Sequence, residues 1–188
     1  MSRLFQFLKN GSISFINRVK TQGWFSAGVW LFGHGVPKYT GIPLAKYSRI
    51  TPQIYVGAQI RKIGKQKLEL LGIDSSVNMR IEYDDVAHGL ALTHHCHLPT
   101  DDGLAPTLLQ LKTGATFIHQ MVTAGNKVYI HCRSGIGRAP TIAAAYFISQ
   151  GYTLLEALKL IEKTRPFIQI TSQQIEQLKL FAENQKTA

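Results

Sequence analysis

From residue 53 onward the hydrophobic positions fall into short runs of strand character that alternate with longer stretches of helical period. Residues 53–57 (QIYVG) are rich in β-branched and aromatic side chains and predict a first strand. Residues 63–71 suit a short helix closed by Gly72, and residues 73–79 a second strand leading into Arg80. Residues 83–89 are polar and read as a loop; residues 91–98 (ALTHHCHL) then predict a third strand. Pro106 stands where proline favours a helix start, and Leu108, Leu111, Ala115, Ile118 and Val122 follow at helical spacing. Gly125 and Asn126 turn the chain into Val128, Tyr129 and Ile130, another strand. Residues 143–147 (AAAYF) predict a buried helix. Gly151 ends it, and Thr153 caps the next, whose apolar face includes Leu155, Leu158 and Ile161. Arg165 and Pro166 lead to a last helix carrying Ile175, Leu178 and Phe181. This alternation predicts one α/β domain, a central and mainly parallel sheet flanked by helices.

The first third of the chain follows a different pattern. Residues 1–22 set Leu4, Phe5, Leu8, Ile13, Ile16 and Val19 among Arg3, Lys9, Arg18 and Lys20, a basic amphipathic helix made imperfect by Gly11. Residues 24–36 (WFSAGVWLFGHGV) are aromatic but too short to span a bilayer. Three readings stand: peripheral contact of residues 1–36 with an anionic membrane, a segment packed across the domain with Trp24 and Trp30 as core anchors, or a mitochondrial presequence. Residues 37–52 are loop-like, so residues 1–46 form an extension and residues 47–184 the domain.

Composition adds two points. The 188 residues are 45% hydrophobic, as in a soluble globular domain, and the net charge is +10. All of that excess lies in residues 1–68, which hold eleven Lys or Arg and no acid. Either this is ordinary solvated basic surface or it attracts a polyanion, a membrane or an acidic substrate. Nucleic acid is not expected as a partner. Two cysteines in this length fit a reducing compartment, cytoplasmic or otherwise, and no disulfide framework. No apolar run of about 18 residues predicts a membrane span.

Residues 131–138 (HCRSGIGR) carry the chemistry. They lie between a predicted strand and a predicted helix. Gly135 and Gly137 let the backbone curl so that successive N–H groups, from Arg133, Ser134, Gly135, Ile136, Gly137 and Arg138, converge on one centre. The positive end of the following helix adds to that field, and Arg138 can clamp a tetrahedral dianion through two N–H groups. The same field favours the thiolate of Cys132, a nucleophile at neutral pH. His94, His95, Cys96 and His97 are contiguous, so in a strand they alternate between faces and do not form a metal site unaided.

His131 to Arg138 resembles the His-Cys-five-residues-Arg signature of the cysteine-dependent protein tyrosine phosphatase superfamily, in its dual-specificity branch. The stretch from Leu98 to Phe181 also resembles the mitochondrial phosphatidylglycerophosphate phosphatase lineage. The resemblance covers about residues 47–181. It implies two-step hydrolysis of a phosphate monoester through a cysteinyl-phosphate on Cys132, with no metal or organic cofactor. It also implies a general acid on the loop of residues 99–106 (PTDDGLAP), Asp102 favoured over Asp101. His131 would support the cysteine loop by hydrogen bonding, and Gln174 would help orient water. Cys96 would either form a reversible disulfide with Cys132, as in some relatives, or be an inert core thiol. One departure stands out: the residue after the signature arginine is Ala139, where most members have Ser or Thr to stabilise the leaving thiolate. Turnover is then slowed unless Ser134 or Thr141 supplies the donor. The implied substrate is a phosphoprotein, with a phospholipid as runner-up and a non-catalytic phospho-binding module as third reading.

Overall fold

The computed structural model describes residues 49–186, together with residues 19, 20 and 24. Trp24 is 74% exposed, against its reading as a core anchor, and the other expectations for residues 1–48 fall largely outside the described residues.

Among the described residues nine elements follow in order: β1 (Ile54–Ala58), α1 (Lys62–Leu70), β2 (Ile73–Arg80), β3 (His94–Thr100), α2 (Leu108–Thr123), β4 (Lys127–Cys132), α3 (Arg138–Ser149), α4 (Leu154–Thr164) and α5 (Ser172–Lys186). The four strands form one parallel sheet in the order β1-β4-β2-β3. Parallel strands covered on both faces read as continuous apolar runs, and β1 is buried along its whole length. The sheet puts Cys132, at the C-terminal end of a central strand, where open α/β sheets bind ligands.

Alternation along β4 divides the two cores. Val128, Ile130 and Cys132 join the large core with α2, α3, α4 and α5, through Leu111, Ile118, Ile142, Ile161 and Leu178. Tyr129 faces the other way, into a smaller core with Tyr55, Ile60, Leu68, Ile73 and Leu92 beneath α1, and His131 stacks on its ring. Burying each large aliphatic here contributes about 1.5–3 kcal/mol.

Local signals set the helix ends. Thr107 caps α2 in a reciprocal capping box with Gln110, so the helix starts two residues after Pro106 rather than at it. Thr153 and Glu156 form the same box on α4. The buried stripe of α4 holds Leu154, Ala157, Leu158 and Ile161; Leu155, one residue off it, is 61% exposed, contrary to the periodicity reading. Strand β3 begins three residues later than expected and runs through Pro99, which an edge strand tolerates.

The register also corrects the proposed disulfide. Cys96 lies beside Val77 and Val77 beside Ile130, so Cys96 and Cys132 are two strands apart and offset by two residues. Strand spacing and rise put their Cα atoms about 12 Å apart, beyond the roughly 7 Å a disulfide spans. Both cysteines are free, and burial pushes the Cys96 thiol up to about 11.

Gly57 sits against Tyr129, whose buried hydroxyl donates to the Ala58 carbonyl at 2.7 Å. A Cβ at residue 57 would collide with that hydroxyl. Gly57→Ala should therefore lower the unfolding free energy by about 1–3 kcal/mol. A urea midpoint equal to wild type would contradict this packing.

Candidate active site

The loop after β4 is shaped by what holds its carbonyls. Arg133 O accepts from Gln59 N at 3.4 Å, and Ile136 O from Gln169 N at 2.8 Å. Gly137 O accepts from the Thr141 amide at 3.0 Å and hydroxyl at 2.9 Å. Between these, Arg165 donates Nη2 to Ser134 O at 3.0 Å and Nε to Gly135 O at 2.6 Å. Its Nη1 reaches Val56 O in β1 at 3.2 Å. Each carbonyl from residue 133 to 137 is thus held by a donor outside the loop's concave side. A peptide plane with its C=O turned outward turns its N–H inward. One such group, Gly135 N, reaches Cys132 Sγ at 3.2 Å.

Gly135 has φ +67°, and an added Cβ would strike the Gly57 backbone and the Arg165 guanidinium, so only glycine fits. Arg165 is 3% exposed, and burial pulls its guanidinium down to about 10. Sequence reasoning treated it only as a helix exit.

Arg138, the first residue of α3, is 1% exposed and nearly saturated. Nη1 donates to Glu82 Oε2 at 2.9 Å and to Thr100 O at 2.7 Å. Nη2 donates to Glu82 Oε1 at 3.0 Å and pairs with Asp102 Oδ1 at 3.0 Å. Nε is buried without a protein partner, which leaves it for a ligand. Burial alone would pull this guanidinium down, but Glu82, Cys132 and Asp102 together raise it. Burial raises the Glu82 carboxyl too, but hydrogen bonds from Arg138 and Arg80 outweigh that and hold it at about 2.

His131 Nε2 lies 2.8 Å from Asp85 Oδ2, both side chains fully buried, so the support expected of His131 comes from a carboxylate. Burial raises Asp85, but His131 and Gln59, whose Nε2 donates to Oδ1 at 2.7 Å, bring it below the usual range. Asp85 lies in the segment read merely as polar loop, and Glu82 just before it was given no role. The available signal was their place just past the C-terminal end of a central strand.

The acid loop brings Asp102 to Arg138 and leaves Asp101 exposed, its carbonyl accepting the Leu104 amide at 3.2 Å. Gln174 is buried and occupied: Oε1 accepts from Thr171 N at 3.0 Å, and Nε2 donates to Leu104 O at 2.8 Å. It tethers the acid loop rather than offering a free amide to water. His95 shares a hydrogen bond with Ser76 at 2.9 Å, and His97 donates to Arg80 O at 2.7 Å. Arg133 is exposed at the rim of the loop. An open groove of about 600 Å³, lined by Leu104, Ala105, Ser172, Gln173, Glu176 and Gln177, runs beside the acid loop.

The Glu82 clamp predicts a pH dependence. Its folded value of about 2 lies below the ordinary 4.5, so the unfolded chain binds more protons. The clamp's stabilisation is full above about pH 4.5 and lost as pH falls through about 2. The stability difference between wild type and Glu82→Gln should shrink over that interval. Urea midpoints for both proteins at several pH values would show it; a constant difference would refute the clamp.

A family model described as the dual specificity phosphatase catalytic domain matches residues 54–184. The human phosphatidylglycerophosphatase and protein-tyrosine phosphatase 1 is 30% identical over 145 residues, 72% of either chain. Dual specificity protein phosphatase 1-B of Xenopus laevis is 27% identical over 121 residues, 63% of this chain and 32% of its own. The crystal structure of PTPMT1 in complex with PI(5)P superposes with a TM-score of 0.68 at 28% identity, covering 74% of this chain and 96% of that one. The matched residues 54–184 include the cysteine loop and Arg138: the chain belongs to the dual-specificity phosphatase family and is a cysteine-dependent phosphatase.

Proposed function

We propose that the chain hydrolyses phosphate monoesters on protein side chains, with Cys132 as nucleophile, Arg138 and the N–H groups of residues 133–138 as the phosphate cradle, and Asp102 as general acid. The outward anchoring of all five loop carbonyls, 133 to 137, carries this reading, because it prepares converging donors before any ligand arrives. In the first step Cys132 Sγ attacks phosphorus, the bond from phosphorus to the ester oxygen breaks, and Asp102 gives its proton to that oxygen. In the second, Asp102 as carboxylate takes a proton from water, which attacks phosphorus. The S–P bond breaks and its electron pair returns to sulfur. The pairing of Asp102 with Arg138 supports its choice over Asp101. No step calls for a metal or organic cofactor. The groove beside the acid loop gives room for groups flanking the phosphorylated residue.

Ala139 bears on the second step. Thr141 spends its hydroxyl on Gly137 O, so it does not replace the missing donor, and Ser134 is the remaining candidate. Hydrolysis of the phosphoenzyme then lags its formation.

A second reading, a phospholipid substrate, has two supports: the name of the human relative and the basic, aromatic residues 1–36. In that case residues 1–36 contact an anionic membrane surface. The domain would run from residue 47 to 184, preceded by an extension, and two free cysteines suit a reducing compartment.

The test is hydrolysis of an aryl phosphate without added metal. Cys132→Ser should abolish it, and Asp102→Asn should lower kcat by about 10²–10⁴ while Asp101→Asn costs far less. Equal losses from the two aspartates would refute the assignment, and activity in Cys132→Ser would refute the mechanism. Rapid mixing should show a burst that Ala139→Ser removes; linear product formation in wild type would contradict slow dephosphorylation. Phosphopeptide turnover without phospholipid turnover supports the protein reading. The converse, with vesicle binding lost on deleting residues 1–36, supports lipid.

A further inference from the structure

Arg80, the last residue of β2, takes no part in the chemistry above, yet its guanidinium is held by three side chains. Nε donates to Glu82 Oε1 at 2.8 Å, the oxygen that also accepts from Arg138 Nη2 at 3.0 Å. Nη1 donates to Gln59 Oε1 at 3.1 Å, and the group lies over the Tyr83 ring, 4.8 Å from its centroid. Its carbonyl accepts from His97, and its amide donates to Asn78 Oδ1 at 2.9 Å, so the backbone is fixed as well. The Arg80 side chain is only 13% exposed.

We infer that Arg80 is a positioning residue for Arg138, acting through Glu82. A carboxylate bound to one guanidinium alone can swing with it, and Glu82 is partly open to solvent. A second guanidinium, itself locked by Gln59 and Tyr83, fixes the carboxylate plane. A fixed plane in turn fixes the fork of Arg138 and keeps its Nε as the donor left for phosphate. Gln59 has a second anchor of its own, since its Nε2 donates to Asp85, the partner of His131. Asp85 keeps that place whatever stands at residue 80, so the effect of Arg80 is confined to Glu82 and Arg138.

The inference rests on Arg138 being the phosphate clamp, so the experiment reads ligand binding apart from turnover. Orthophosphate binding to the full chain is measured by calorimetry, alongside aryl phosphate kinetics and alkylation of Cys132 by neutral iodoacetamide. Arg80→Met, which keeps the apolar stem, should weaken orthophosphate binding and lower kcat/KM by about tenfold each, with alkylation unchanged. Arg80→Lys should recover part of the loss. Arg80→Met combined with Glu82→Gln should be no worse than Glu82→Gln alone, within about twofold, because both act through one carboxylate. Wild-type orthophosphate affinity in Arg80→Met overturns the inference. So does a tenfold factor that persists in the Glu82→Gln background, or slowed alkylation, which would mark general disruption. A wild-type protein that neither hydrolyses aryl phosphate nor binds orthophosphate takes down the functional reading first, and this inference with it.

Discussion

A short loop turns its N–H groups inward only if something else takes its carbonyls, and here Arg165 takes the two central ones. It donates to the carbonyls of Ser134, Gly135 and Val56, so one buried guanidinium ties the loop to strand β1. Gly135 pays the conformational condition with φ +67°, and its missing side chain is what lets Arg165 and the Gly57 backbone approach. The charge is taken out of water by a residue that contributes no nucleophile and no proton. Taking a cation out of water is costly, and converging carbonyl dipoles offset part of that cost. Loop geometry and Arg165 are therefore one object: neither is stable as found without the other.

A second constraint follows from charge. Arg138 is buried and must be ready for an incoming dianion, so it needs a partner that holds it without occupying every donor. Glu82 does this along the Nη edge, and Asp102 adds a contact at Nη2. Nε stays unbonded. A lysine would satisfy neither side, having no fixed fork to divide between a permanent carboxylate and a transient phosphate. The same arrangement explains why the site holds several acids although it binds an anion: each carboxylate orients a donor, and the converging N–H groups provide the attraction.

The sequence made the scaffold legible where the signal is local. Thr153 was read as a cap and begins α4 with Glu156 at the matching position, and the apolar runs around Tyr55, Val77 and Ile130 are strands; Thr107 gives the same local signal for α2, which the reading placed at Pro106 instead. The cysteine loop was legible because its residues are contiguous. Glu82, Asp85, Gln59 and Arg165 were not, since their roles arise from pairings 21 to 56 residues apart or from backbone atoms they meet only in the fold. No periodicity encodes such a contact. Leu155 shows the opposite limit: an apolar residue near a helical stripe was assigned to it, and a 100° step along the helix was enough to leave it in solvent. Cys96 failed for a topological reason, because the crossover order β1-β4-β2-β3 separates strands that are consecutive among the cysteines.

The acid loop combines both kinds of information. Two adjacent aspartates are equivalent in composition, and spacing from Pro106 only biases the choice. The fold separates them by fixing the loop at residues that neither aspartate supplies. Gln174 holds Leu104 O from the start of α5, and Thr171 reaches Gly103 O at 3.3 Å. With Gly103 and Leu104 held, the peptide before them is aimed, and Asp102, although 65% exposed, falls on Arg138. Gln174 also lies against Gly137, where an added Cβ would meet its amide at 3.4 Å. One buried amide thus lies beside the cysteine loop and tethers the loop of Asp102, so the two segments are held together by a residue that supplies neither a thiol nor a carboxylate.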